Sequence, residues 1–382
     1  MATPLTCILC GDFGAVDFLL NILLFVPLGI GLHRLGFSWR RALVLGALLS
    51  GGIELLQMKV IVGRDASLGD VLANTLGIGA GVVLSRARTA ILHPEPRRAR
   101  RLAWAWSALL VAVWAGTAWA LGPSFPLGGQ WYGAWAPDLA NYAPFRGRVL
   151  MVEAGDEPVL PGGALDQGRF EASILASPTM SAVAIPGPVP RRLAPVGLVV
   201  DGDHGNILLL AQDRQDLTFA YRMRASSLKL WNPRINLRNG FSGPSGDTIS
   251  IFGGVRDNVI EMRSEGGDSV RSRLLPLSAS WGWALITPWD SVLGEEVHSL
   301  TALWIIGLVS VLAYWTLLAR GPALAIVPVT IVILLGAIPY AAGFPPVRWS
   351  EWAAALLGAG IGALAAQRVA VTGPHGRRKG GR

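Results

Sequence analysis

Seven apolar runs mark the chain, at about residues 16–33, 41–58, 68–86, 102–121, 299–319, 322–341 and 350–368. Each is about 17 to 21 residues long, the helical length that crosses ~30 Å of hydrocarbon. Between the fourth and fifth runs the pattern changes. A Pro/Gly-rich linker opening at Gly122 gives way to short alternating segments: RFEASILAS, PVGLVVDG, NILLLAQ, LTFAYRMR, TISIFGG, VIEMRSEG and SVRSRLLPL. DGDHGN, SGPSGD and EGGD punctuate them as turns. Period-two alternation between turn residues predicts antiparallel strands. The expected fold is therefore a polytopic α-helical membrane protein of about seven spans with an all-β, jelly-roll-like sandwich at 122–298.

Polar residues interrupt the first three runs at helical spacing. Asp17 and Asn21 are four apart, Glu54 and Gln57 three apart, and Asp70 and Asn74 four apart, so each pair shares one helix face. Ionisable groups inside spans cost about 2.5 to 3.5 kcal/mol each at midplane and usually face a bundle interior or a wet cavity.

Composition agrees with the pattern. The 382 residues are 52% hydrophobic, with mean hydropathy +0.45. A formal charge of +8 could suit a nucleic-acid binder, but residues 122–298 hold 15 Lys+Arg against 18 Asp+Glu. The positive excess sits in short loops between apolar runs, which is the pattern of membrane topology and not that of a nucleic-acid-binding face.

The loops also predict orientation. With the amino terminus outside, Arg34, Arg40, Arg41, the arginines at 86–101, Arg320, Arg368 and the tail at 371–382 become cytoplasmic, leaving only Lys59, Arg64 and Arg348 in the short outer segments. The sandwich is then extracytoplasmic and the carboxyl terminus cytoplasmic. Trp131, Trp135, Trp281, Trp283, Trp289 and Trp349 are expected near the outer interface, with core positions an equal alternative for Trp281 and Trp283.

In that topology Asn21 lies about 6 Å below the outer end of its helix, Glu54 and Gln57 within about 6 Å of the same surface, and Asp70 and Asn74 roughly 5 to 10 Å down. The candidate site is this shared level: Asp17, Asn21, Glu54, Gln57, Asp70 and Asn74, closed from above by Arg64 and Asp65. One reading has these residues simply locking helices together. The other is an outward-facing polar pocket for a lipid-linked head group, with Arg64 as an anion contact.

Asn21 with FVPLG at 25–29, then ELLQ at 54–57, then Arg64-Asp65-x-Ser67-x-x-Asp70-Val71-x-x-Asn74-x-x-Gly77, resembles the VanZ-like family of bacterial membrane proteins. The resemblance covers Asp17 to about Leu84 within a unit at 1–100. It implies a link to low-level teicoplanin tolerance and singles out Asn21, Glu54, Gln57, Arg64, Asp70 and Asn74. Family members carry one more apolar helix ahead of the Asn-bearing one, which is compatible with a late start at Met1. A looser resemblance, in DGDHGNILLLAQDRQDLTFAYRMR, is to the concanavalin A-like, laminin G-type jelly roll. That likeness implies sugar or calcium binding, although Asp201 and Asp203 read as turn residues.

The leading expectation is an envelope membrane protein that binds a lipid-linked or glycan ligand, with membrane lipid as its other partner and no nucleic acid. A membrane-embedded hydrolase or transferase using Glu54 and Asp70 as an acid and base pair is the alternative, and a transporter the third. No cofactor and no metal are expected. Cys7 and Cys10 form a lone CxxC without a second ligand pair, read as inert. Gly77, Gly79 and Gly81 recur as Gly358, Gly360 and Gly362, with Asp70 answered by Glu351 and Asn74 by Ala355. That common offset of 281 suggests a second copy of the membrane unit, or equally a shared need for small residues at helix contacts.

Overall fold

The computed structural model describes residues 7–60, 67–126, 129–139, 142–160, 167–202, 205–242, 246–267, 269–287, 292–294 and 296–372. Arg64, Asp65, Asp203, Trp289 and the basic tail from 373 lie outside the described residues. Four helices open the chain: α1 Gly14–Arg34, α2 Trp39–Val60, α3 Leu68–Leu92 and α4 Pro96–Ala120. Three helical segments close it: α6 Val297–Ala319, a composite of α7 Ile326–Val332, a π turn Ile333–Ala337 and α8 Ile338–Ala341, and α9 Trp349–Thr372.

Six of these segments are long and apolar enough to cross a membrane: Gly14–Arg34, Leu68–Leu92, Pro96–Ala120, Val297–Ala319, Gly321–Ala341 and Trp349–Val369. The expected seventh, α2, is 22 residues long but carries Arg40, Arg41 and Glu54. Its direction follows from its neighbours. A Cβ on Gly77 would sit 2.3 Å from the Ile22 carbonyl oxygen, and one on Gly81 2.2 Å from that of Val26, so α1 and α3 run parallel with their backbones touching. On α2, Gly46 meets Ile78 and Ser50 meets Asn74, while Glu54 reaches Ser67. Helix α2 is therefore antiparallel to α3 and returns the chain through the same thickness.

The parallel pair recurs in the last three segments. Cβ atoms on Gly358 and Gly362 would lie 2.7 Å and 2.1 Å from the carbonyl oxygens of Ile306 and Ser310, so α6 and α9 are also parallel and in backbone contact. The offset is 281 on the later helix, Gly77 to Gly358, and 284 on the earlier one, Ile22 to Ile306. Glu351 occupies the place of Asp70 in the first turn of its helix. Packing need alone explains small residues; it does not explain the same chain direction, spacing and acidic first turn.

Between the helical units lie two facing sheets. One has the order β1-β5-β6-β7-β8-β12, the other β11-β10-β9-β4-β2-β3. The first comprises β1 Trp131–Trp135, β5 Ala194–Asp201, β6 Asn206–Asp213, β7 Asp216–Tyr221, β8 Arg234–Leu237 and the short β12 Val292–Leu293. The second comprises β2 Arg148–Ala154, β3 Glu157–Pro158, β4 Thr179–Ile185, β9 Ile249–Arg256, β10 Val259–Gly266 and β11 Ser269–Pro276. All pairings are antiparallel except β8 with β12. The sheets meet closely: a Cβ on Gly253 of β9 would press 2.5 Å from the Phe219 ring of β7. Met180, Val199, Leu208, Leu210, Phe219 and Ile260 fill the buried layer between them.

Two expectations are corrected. RFEASILAS is not a strand; Gln167–Ala176 forms helix α5, because Phe170 and Ile174, four apart, bury one face. Nor do the strands begin only with the predicted segments: β1 lies within the Pro/Gly-rich linker, and β2 and β3 follow it ahead of the first of them. Trp281 and Trp283 are buried, taking the core alternative; Trp131 is buried in the core as well, whereas Trp349 is exposed.

The sandwich is seated on both helical units. Ser278 and Ser280, just after β11, donate to the buried Glu351 carboxylate at 3.1 Å and 2.6 Å, and Trp114 Nε1 of α4 donates to Ser280 Oγ at 3.3 Å. Burial pushes the Tyr221 hydroxyl above its ordinary range, so it stays protonated and donates to the Leu121 carbonyl at 3.1 Å. On the other side Phe13 stacks on Trp231 at 3.7 Å and Lys229 donates to the Leu9 carbonyl.

Gly81→Ala and Gly362→Ala should each lower thermal stability in detergent by about 1–3 kcal/mol through steric overlap. Gly360→Ala, whose added Cβ meets nothing within 4 Å, should be neutral or stabilising. Equal effects at all three positions would contradict the packing described.

Candidate functional site

The close approach of α1 and α3 fixes the polar residues. Asn21 Nδ2 of α1 donates to Asp70 Oδ1 of α3 at 2.5 Å, a charge-assisted contact across two parallel helices. Asp17, one turn earlier, stands on the exposed side of α1. Glu54, 7% exposed on α2, accepts from the backbone N–H of Ser67 at 3.1 Å. Asn74, 4% exposed and one turn beyond Asp70, donates to Ser50 Oγ of α2 at 2.8 Å, while its Oδ1 is buried without a partner among the described residues. Gln57 is half-buried near the end of α2.

Ser67 knits these contacts together. Extended backbone (φ −124°, ψ 128°) makes it the N-cap of α3, and its Oγ accepts from the Gly69 N–H at 3.0 Å. Its own N–H goes to Glu54, so one residue satisfies the start of α3 and ties it to α2. Cys7 and Cys10 form a disulfide in this structure, and the loop they close lies on the same helix start: the Cys7 carbonyl accepts from Gly69 N–H at 3.3 Å and from Ser67 Oγ at 3.4 Å. The cysteine pair thus staples the chain onto the start of α3.

Sequence reasoning missed Ser50 and Ser67 as participants. Ser67 carried a legible signal, a Ser immediately before an apolar helical run. Ser50 carried none, since its role depends on the antiparallel register of α2 against α3. Of the predicted set, Asn21, Glu54 and Asp70 come together at the end of the bundle nearest the sandwich, with Asn74 about one turn deeper; Asp17 is exposed, Gln57 is half-buried, and Arg64 and Asp65 lie outside the described residues. Among the described residues no group of three His, Cys, Asp or Glu is placed to hold a metal.

Beside this cluster, between α2 and α3, runs a groove of about 550 Å³. Ala47, Leu48, Leu55, Leu68 and Val71 make its walls, Gly51 and Gly52 leave it open, and Glu54 and Ser67 close one end. It can accept an apolar chain along its length and a hydrogen-bond donor at its polar end.

Parallel helix pairs in two units, a strand sandwich seated between them and a polar cluster at the sandwich-facing end define a polytopic membrane protein with a β-sandwich domain. Residues 4–91 match the family model described as VanZ/LLP1, so the first helical unit is similar to that family, while the rest of the chain lies outside the match. No curated protein and no solved structure matches the chain.

Asn21→Leu should lower stability by about 1–3 kcal/mol, because Asp70 loses its donor. The double change Asn21→Leu, Asp70→Leu should cost less than the sum of the single changes, measured by thermal unfolding of the purified protein. Additive costs would mean that the pair does not interact.

Proposed function

We propose that this protein binds a lipid-linked ligand of the cell envelope, with the ligand's chain in the α2–α3 groove and its polar head at the cluster of Asn21, Glu54, Asp70 and Asn74. The observation that carries the reading is the groove itself: apolar walls ending at a buried carboxylate and a helix N-cap. Asp17, Glu54 and Asp70 make the described part of the site acidic, which favours a head group presenting hydroxyl or amine donors, as a sugar does. The unpartnered Asn74 Oδ1 is a further acceptor that such a donor would satisfy.

Orientation belongs to the same proposal. The excess of arginine in the loops at the opposite end supports a cytoplasmic placement there, with the cluster and sandwich outside. Arg64 and Asp65, candidates by sequence alone, lie outside the described residues. Two facing six-stranded sheets support a lectin-like role for the sandwich, in which it contributes glycan contacts. Asp201 accepts from the Gly205 N–H at 2.6 Å and pairs with Arg222, which supports a turn-forming role for it and not calcium binding. Glycopeptide tolerance is the phenotype expected to depend on this site.

Gly52→Leu fills the groove where an added side chain starts in open space, so folding should be unaffected. Mass spectrometry of the purified protein should find a lipid or glycan with the wild type, and lose it in Gly52→Leu and Asp70→Ala. Retention in a stably folded Gly52→Leu protein would overturn the assignment to this groove.

A further inference from the structure

The second helical unit carries a groove of a different character, of about 490 Å³, between α4 and the composite α7–α8 segment. Its cause is local. The π turn at Ile333–Ala337 and Pro339 immediately after it interrupt the regular ladder of that segment, a combination that bends helices and recurs at functional sites. Opposite, α4 lines the space with the small Ala115 and Ala118, with Trp119 one residue further on, which leaves room beside the alanines.

Arg224 stands at the mouth. It begins the 3₁₀ turn after β7, and its backbone is fixed by the bond from its N–H to the Gly122 carbonyl at 2.9 Å and by the bridge between Pro123 and Met223 beside it. The guanidinium lies 5.7 Å from the Trp119 ring, and Nη1 makes a long contact of 3.4 Å to the Trp119 carbonyl. Among the described residues it has no carboxylate partner, so most of its donors are unspent. Trp119 and Tyr340, on the two helices that flank the groove, are exposed at 47% and 88%. Amphipathic aromatic rings on both flanking helices, Trp119 lining the groove and Tyr340 outside it, mark the level of lipid head groups.

From this geometry we infer that the α4–α8 groove is a binding site for a phosphate-bearing lipid, with the phosphate on Arg224 and one acyl chain between Ala115, Ala118 and Ile338. A guanidinium offers paired donors that match phosphate oxygens, and the apolar floor below it suits only the chain of the same molecule. Asn258, at the rim, already donates to the Gly343 carbonyl and shapes the opening without competing for the phosphate. This site is independent of the α2–α3 groove and shares no residue with it.

The test is native mass spectrometry of the full chain in detergent, titrated with phosphatidylglycerol and, separately, with diacylglycerol, which has the same chains and no phosphate. Wild type should bind one phosphatidylglycerol with clear preference over diacylglycerol. Arg224→Gln should weaken phosphatidylglycerol binding roughly tenfold or more, the loss of a charge-assisted contact, and Arg224→Lys should weaken it less. Ala115→Leu should weaken both lipids by filling the groove. Gly52→Leu should leave this binding unchanged, which separates it from the ligand of the first unit. Equal binding of the two lipids, or wild-type binding by folded Arg224→Gln and Ala115→Leu proteins, would overturn the inference.

Discussion

Backbone contact between two parallel helices is the constraint on which the rest of this structure depends. Where Gly77 and Gly81 bring α3 against the carbonyls of Ile22 and Val26, no side chain can intervene. Lipid offers helices no hydrophobic drive to associate, so close approach, dispersion and a few polar contacts must supply it. Parallel helices in immediate contact require a third to carry the chain back, and α2 does so. Asn21, Glu54, Asp70 and Asn74 are then brought to one end of one bundle because the register of three helices leaves them nowhere else. The Asn21–Asp70 pair follows from the glycines more than it causes the packing.

The same device is used twice, with different outcomes. In the first unit the acidic residue of the first turn, Asp70, pairs with an amide on the parallel helix. In the second, Glu351 is turned to the sandwich and held by Ser278 and Ser280, while Ile305 is buried on α6 and Ala355 on α9. One unit keeps a polar cluster beside an open groove, and the other has spent its acid on seating the β-domain. Contacts from Leu9 and Phe13 to Lys229 and Trp231 bring the first unit's polar end to the same domain. The sandwich is thus fixed by both units.

Much of this was legible in the sequence, for physical reasons that can be named. A span must be apolar over its whole length, so the seven runs fell close to the observed helices. Polar residues at three- and four-residue spacing announced a shared face, and Asn21 and Asp70 do meet across two helices while Glu54 bonds to the Ser67 backbone. The glycine offset pointed to the repeated packing. What escaped were features set by long-range register: Ser50 against Asn74, the staple formed by Cys7 and Cys10 on Ser67, and the groove that Gly51 and Gly52 leave open. Helix α5 escaped because Phe170, Ala172 and Ile174 satisfy both a period of two and an i, i+4 face. Strand β1 was hidden among the prolines and glycines of the presumed linker.

Chemical crosslinking reports most directly on the parallel alignment of α1 and α3. In a background with Cys7 and Cys10 replaced by serine, cysteines would be placed at 21 and 70, or at 21 and 85, and treated in native membranes with a short bifunctional thiol reagent. The account predicts an intramolecular link for the first pair and none for the second. A link between 21 and 85, or none at 21 and 70 while both thiols react singly, would contradict it.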